Sequence, residues 1–169
     1  MRILERVSLA AAVALLCAAG VAAGDVAQTT ARDASDGATA RKALAVSGGL
    51  RSRLASLPEE YVLVQVWSPF CAPCGQEVSE LNALLKTANA RARRLAVLGV
   101  PVRSRPREVE AFIRHFKPDY DQWQQDKPFQ ELASSGEIAL PWTFLLNRNR
   151  AVVKEWVGRV GAAEVLSKM

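Results

Sequence analysis

Cys71 and Cys74 stand two residues apart at the end of Val62-Leu63-Val64-Gln65-Val66-Trp67-Ser68-Pro69-Phe70-Cys71-Ala72-Pro73-Cys74, where an apolar run gives way to a helical pattern. Two thiols this close can exchange an electron pair as dithiol and disulfide. A helix N-terminus sets partial positive charge and free N–H groups beside the first sulfur and favours its thiolate, which makes Cys71 the candidate nucleophile. Two other uses of the pair compete with this one. As a staple it is weak, because closing a loop of about four residues is worth roughly 2 kcal/mol, against about 3 kcal/mol for a loop of about 15. As half of a zinc site it lacks company: structural zinc takes four ligands, and the chain holds only Cys17, Cys71, Cys74 and the single His115. Cys17 falls in a segment expected to be removed, so one chain cannot close a tetrahedral site of cysteine and histidine. Redox exchange is the favoured reading, with a staple and metal or copper binding as the alternatives. No metal site and no cofactor beyond the disulfide itself is expected.

The frame around the cysteines is about one domain: 169 residues, 50% of them hydrophobic, contain enough apolar material for a core. The formal charge of +5 falls to +4 once residues 1–23, with Arg2, Glu5 and Arg6, are taken away. That balance favours solubility and, mildly, acidic partners or an anionic membrane surface. It argues weakly for nucleic acid. Arg91, Arg93 and Arg94 cluster, as do Arg103, Arg105 and Arg107, but no aromatic residues interleave with them and no nucleic-acid motif accompanies them, so a solvated rim is the better reading.

The N-terminus has the three parts of an export signal: Arg2 and Arg6, an uncharged stretch of 18 residues from Val7 to Gly24, and Val21-Ala22-Ala23 as a small-residue cleavage site. An uncleaved membrane anchor is the alternative, since 18 residues reach the lower edge of a bilayer span. Lipidation at Cys17 is disfavoured by Leu16 before it. Each outcome places the domain outside the cytoplasm, where disulfides persist. Residues 24–45, rich in Ala, Thr, Asp, Ser and Gly without apolar periodicity, are expected to be a flexible linker, and residues 46–169 the folded domain.

Within that domain the elements alternate in type, as in an α/β sheet covered by helices. Tyr61 to Trp67 is apolar on both faces and predicts a central strand. Val78, Leu81, Leu84, Leu85 and Ala88 recur at helical spacing and predict an amphipathic helix from Ala72 to about Ala88. Arg94 to Val100 predicts a strand ended by Pro101, and Glu108 to Phe116 a helix with Val109, Phe112, Ile113 and Phe116 inward. The segment with Phe129 and Leu132 is expected to be loose. Trp142 to Leu146 and Ala151 to Val157 predict a hairpin turned by Asn147-Arg148-Asn149-Arg150, and Gly161 opens a short last helix.

A strand ending in Trp, two cysteines around Ala72-Pro73, and a later Leu140-Pro141-Trp142-Thr143-Phe144 ahead of a hairpin together resemble the thioredoxin fold. The pattern from Val66 to Cys74, followed by Glu77, is most similar to the exported thioredoxin-like proteins of the TlpA, ResA and DsbE type. The resemblance covers about Leu54 to Leu166. It implies a central mixed β-sheet flanked by helices, a cis bond before Pro141, and Leu140 offering its backbone to an extended client beside the cysteines. Phe70 stands where the family commonly has Trp and would form the apolar lip. Trp142, bulkier than the usual Thr, would narrow the client groove, and Trp67 would pack beneath the turn. Thioredoxin's buried aspartate is replaced by Gln65, which leaves Glu77 as the nearest acidic candidate to take the proton of Cys74, against the plain reading of an exposed helix carboxylate.

By resemblance the chemistry is thiol-disulfide exchange in the periplasm or another extracytoplasmic space, by a monomer acting on disulfide- or thiol-containing exported proteins such as apocytochrome c. A membrane thiol-disulfide relay would supply electrons. Ala72-Pro73 contributes no cation to stabilise the Cys71 thiolate, which favours a reductant. An oxidant or isomerase is the alternative within the same chemistry, and a copper-handling or non-catalytic binding module the alternative outside it.

Overall fold

The computed structural model describes residues 32–33, 37–124 and 127–169. The signal segment, the alternative anchor and Cys17 lie outside the described residues. No helix among those described is long and apolar enough to cross a membrane.

The strand Tyr61–Trp67 (β2) forms where β-branched and aromatic residues run together, and it is buried from Val62 onward. It pairs in parallel with Leu95–Pro101 (β3), Tyr61 facing Leu95 and Trp67 facing Pro101. On its other side it pairs antiparallel with Trp142–Leu146 (β5), Val64 facing Phe144. Val152–Val157 (β6) closes the hairpin with β5. The two-residue strands Arg32–Asp33 (β1) and Asp121–Gln122 (β4) border the sheet, whose order is β1-β6-β5-β2-β3-β4. This mixed sheet with helices on both faces is the thioredoxin-like α/β architecture expected above.

Side chains alternate across each strand, and the alternation divides the core. Val62, Val64 and Val66 meet Trp142, Phe144 and Leu146 on one face. Leu63 and Leu145 meet the helix Ala72–Ala90 (α3) on the other, through Leu81, Leu84 and Ala88, with Trp156 beside them. The helix Pro106–Phe116 (α4) and the short Ala162–Leu166 (α6) complete the chain's later half.

The expected linker is corrected over its last part. Ala38–Val46 is a helix (α1), followed directly by Gly48–Ala55 (α2), and Ala40 and Ala43 are fully buried against the sheet. Small alanines can approach a sheet closely, and their weak hydropathy hides the apolar stripe. The N-terminus of α1 has no side-chain cap of its own. The buried Glu155 of β6 supplies one from a distance: its Oε2 accepts the Ala40 N–H at 2.8 Å, which satisfies one of the first-turn donors that a helix leaves unpaired. A second correction concerns the segment expected to be loose. Lys127–Ser134 is a helix (α5), and Phe129 is buried against Trp142 with ring centroids 6.1 Å apart. A third feature fixes the hairpin turn: the Arg150 guanidinium donates to the carbonyls of Leu54, Leu57, Glu59 and Asn147, tying the end of α2 to the sheet.

Replacing Glu155 with Ala strands the Ala40 N–H in the core, and an unsatisfied buried donor costs about 1–3 kcal/mol. The variant is expected to lose about 2 kcal/mol in urea unfolding at neutral pH; an unchanged midpoint would mean that α1 is not held by this contact.

Candidate active site

The turn Ser68-Pro69-Phe70 carries the chain from β2 into α3, and the Cys71 N–H donates to the Ser68 carbonyl at 3.0 Å. Cys71 takes the N-cap position of α3 in extended conformation, with Pro73 in the first helical turn, where a missing N–H leaves nothing unsatisfied. Cys71 and Cys74 form a disulfide with Cα atoms 5.3 Å apart. The Cys74 N–H donates to the Cys71 sulfur at 3.3 Å, and a hydrogen bond of this kind strengthens when the sulfur is anionic. Cys71 is half-buried and Cys74 fully buried, so one sulfur faces an incoming partner and the other is reached only from inside.

A cleft of about 370 Å³ opens over the outer sulfur. One wall is the β2–α3 turn, Ser68 and Phe70 to Pro73; the other is Leu140 and Arg103. Phe70 is 73% exposed and forms the apolar lip. The Leu140–Pro141 peptide is cis, and the Pro141 carbonyl accepts the Gly158 N–H at 2.8 Å. Trp142 requires a correction. It does not line this cleft, because β5 turns it to the face of Val62, Val64 and Val66, where it is 1% exposed beside Phe129 and Phe144.

Beneath the disulfide lies a polar network in an otherwise apolar layer. Trp67, Cys74, Val78, Val109 and Phe112 cluster there, with Trp67 stacked on Phe112 at 3.9 Å. The Trp67 indole donates to Gln122 Oε1 at 2.9 Å, in space left by Gly99, where any Cβ would collide with the Gln122 side chain. Glu77, one helical turn after Cys74 and so on the same face of α3, is fully buried. Its Oε2 accepts from Gln65 Nε2 at 2.7 Å and its Oε1 from the Val160 N–H at 2.9 Å. Tyr120 donates its hydroxyl to Gln65 Oε1 at 2.7 Å and so orients the amide toward Glu77.

Burial raises the Glu77 pKa from 4.5 to about 7; the Val160 and Gln65 hydrogen bonds pull the other way, Glu80 adds to the rise and Arg159 opposes it. Burial and the Glu77 charge also push the Tyr120 phenol up, so Tyr120 remains a donor. The plain reading of Glu77 as an exposed helix carboxylate is thus overturned. In the sequence Gln65 reads only as a missing acid, and no local pattern marks Tyr120. The usable signal was Gln65 itself, alternating with Leu63 and Trp67 on the helix-facing side of a central strand, where a buried amide must find partners. His115 is exposed on α4, edge-on to Phe116. Among the described residues no three His, Cys, Asp or Glu side chains group as a metal site.

Comparison with solved structures gives matches that share this arrangement of sheet and helices. StoA from Bacillus subtilis superposes with a TM-score of 0.53 at 17% identity, over 67% of this chain and 84% of its own. The fold is that of the secreted thiol-disulfide oxidoreductases. A DsbF homologue from Corynebacterium diphtheriae gives a TM-score of 0.55 at 21% identity, over 68% of this chain and 73% of its own. A secreted thiol-disulfide isomerase from Corynebacterium glutamicum gives 0.52 at 25% identity, over 64% of this chain and 67% of its own. No family model matches the chain, and no curated protein matches it. The likeness to these structures lies in the backbone frame far more than in sequence.

Because Glu77 titrates near 7 when folded and near 4.5 when unconstrained, the folded oxidised protein holds more protons than the unfolded chain between those values. Its stability therefore falls as pH rises through that window. Glu77→Gln, which cannot titrate but offers one accepting oxygen where the carboxylate offers two, is expected to flatten the fall whatever its effect on the absolute stability, read from urea melts across pH; parallel curves for the two proteins would refute the assignment.

Proposed function

We propose that this chain is an extracytoplasmic thiol-disulfide oxidoreductase that reduces disulfides in exported proteins, apocytochrome c among the candidate clients. The observation that carries the reading is the Cys71–Cys74 disulfide at the N-terminus of α3, its outer sulfur opening on a cleft walled by Leu140. In the reduced protein, Cys71 as thiolate attacks one sulfur of a client disulfide. That bond breaks, the client's other sulfur leaves as a thiolate and takes a proton, and a mixed disulfide joins client to Cys71. Cys74 then gives its proton to Glu77 and attacks the Cys71 sulfur, which closes the Cys71–Cys74 bond and releases the second client thiolate. Two electrons pass to the client. A membrane thiol-disulfide relay returns them to the protein, which in this reading acts as a monomer and uses no cofactor beyond its own disulfide.

Each further residue has a role in that sequence. Leu140 presents backbone to an extended client, with Pro141 holding it against the cysteines; Phe70 supplies an apolar surface; Glu77 is the proton acceptor for Cys74. The direction rests on electrostatics. Ala72 and Pro73 add no cation between the cysteines, and the buried Glu77 carboxylate disfavours negative charge on sulfur, which favours the disulfide over the thiolate. Arg103 in the cleft acts in the opposite sense, but three of its hydrogen bonds go to the carbonyls of Ala133 and Ile138. The secreted setting named for the C. glutamicum protein supports the extracytoplasmic location.

Cys74→Ser expressed in the source cell is expected to accumulate client proteins as mixed disulfides on Cys71, released by dithiothreitol and absent from Cys71→Ser; capture of no protein would contradict the exchange mechanism. The reduction potential is expected near the thioredoxin value of about −270 mV, and one close to the DsbA value of about −120 mV would reverse the direction.

A further inference from the structure

Among the described residues, Arg103 brings the only formal charge into the walls of the cleft, and no carboxylate lines it. The sequence placed this arginine in a solvated basic rim. In the structure it leaves the end of β3 with a φ of 53° and its guanidinium is built in: Nε and Nη2 donate to the Ala133 carbonyl in the last turn of α5, and Nη2 donates to the Ile138 carbonyl at 3.1 Å. Its backbone N–H meets Gln130 Oε1 at 3.3 Å. These contacts account for one edge of the fork. Nη1 has no hydrogen-bond partner among the described residues, and Arg103 is exposed and lines the cleft, so a guanidinium already ordered by the fold keeps a donor group free there for a ligand.

Among the described residues, the neighbouring charges do not cancel it. Arg105 and Arg107 are exposed on the same segment, and the nearby Glu108 carboxylate turns back to accept the Arg105 N–H at 2.7 Å. An arginine held in place binds a carboxylate at less entropic cost than a free one, and its charge-assisted hydrogen bonds are about twice as strong as neutral ones. Position then sets meaning: a client whose disulfide reaches Cys71 must lay its flanking residues along the wall that Arg103 shares with Leu140.

We propose that Arg103 is a specificity residue that selects clients carrying Asp or Glu beside the target disulfide, the carboxylate binding at Nη1 while Cys71 exchanges. The inference rests on the redox reading above and names the client class for the same cleft.

The test uses the reduced wild-type protein and three disulfide-bridged peptides that differ only in Asp, Ser or Lys beside the bridge, with rates followed by rapid mixing at low and high salt. The Asp peptide is expected to react about tenfold faster than the Ser peptide at low salt, the Lys peptide to be slowest, and the spread to shrink in high salt. Arg103→Gln is expected to bring the Asp-to-Ser ratio within about twofold, while Arg107→Gln, which removes the same net charge, keeps it. Equal rates for Asp and Ser peptides with wild type overturn the proposal, and so does an equal fall in both variants, which would report net charge alone. The wild-type series needs no variant, so a folding defect in Arg103→Gln leaves the test standing. Failure of the wild type to react with the Ser peptide would instead overturn the redox reading on which the proposal depends.

Discussion

A carboxylic acid placed under a disulfide in a closed apolar layer must either find donors or stay protonated, and the way Glu77 meets this requirement organises the centre of the molecule. The price of removing a lone carboxylate from water is several kcal/mol. Here it is offset in part by two donors from different parts of the chain, the Gln65 amide of β2 and the Val160 N–H after β6. The balance leaves the acid near neutrality in pKa, able to hold or release a proton in the range where thiols exchange. A better-solvated acid would remain ionised, and one with no donors would remain protonated.

The rest of the fold can be traced to that balance. Tyr120, which follows α4, fixes which end of the Gln65 amide meets Glu77. Gln65 reaches α3 because β2 is central and its odd-numbered residues face that helix, as Leu63 does with Leu81 and Leu84. The same alternation carries Trp142 to the far face, leaving Leu140 and the cis bond before Pro141 at the cleft. One sheet thus separates a layer devoted to packing from a layer devoted to sulfur chemistry. The cysteines, the acid and the amide share the second layer, while the alanine-lined α1 and the aromatic pair Phe129 and Trp142 stabilise the first.

Much of this was legible in the sequence, and the exceptions have physical causes. Long apolar runs and the turn residues between them located β2, β3, β5, β6 and α3 to within about two residues. α1 escaped because alanines pack well while contributing little hydropathy, and its cap, Glu155, lies far along the chain. α5 escaped because its buried face depends on Phe129 and Ala133, too few positions to establish a period. The cysteines and Leu140-Pro141 were visible as local patterns. The Gln65, Glu77 and Tyr120 network was not, since no local pattern says that a glutamine in one strand, a glutamate in the next helix and a tyrosine after α4 will converge. Arg103 was hidden for the same reason: its partners are carbonyls of a later helix and loop, so sequence showed only another cation in a basic stretch.

In the proposed exchange Glu77 takes the proton that Cys74 must lose, and the release step of a single turnover reads that transfer. Reduced protein mixed rapidly with a peptide disulfide forms the mixed disulfide on Cys71, and its decay reports attack by Cys74. The rate of that decay is expected to rise with pH through a midpoint near the Glu77 value of about 7, below the roughly 8.5 of an unassisted thiol. In Glu77→Gln that midpoint should move up toward the thiol's own value and the rate at neutral pH should fall by about a hundredfold, in the range of a lost general base. An identical pH profile and rate in Glu77→Gln would contradict the account, leaving Glu77 a buried structural acid with no part in the exchange.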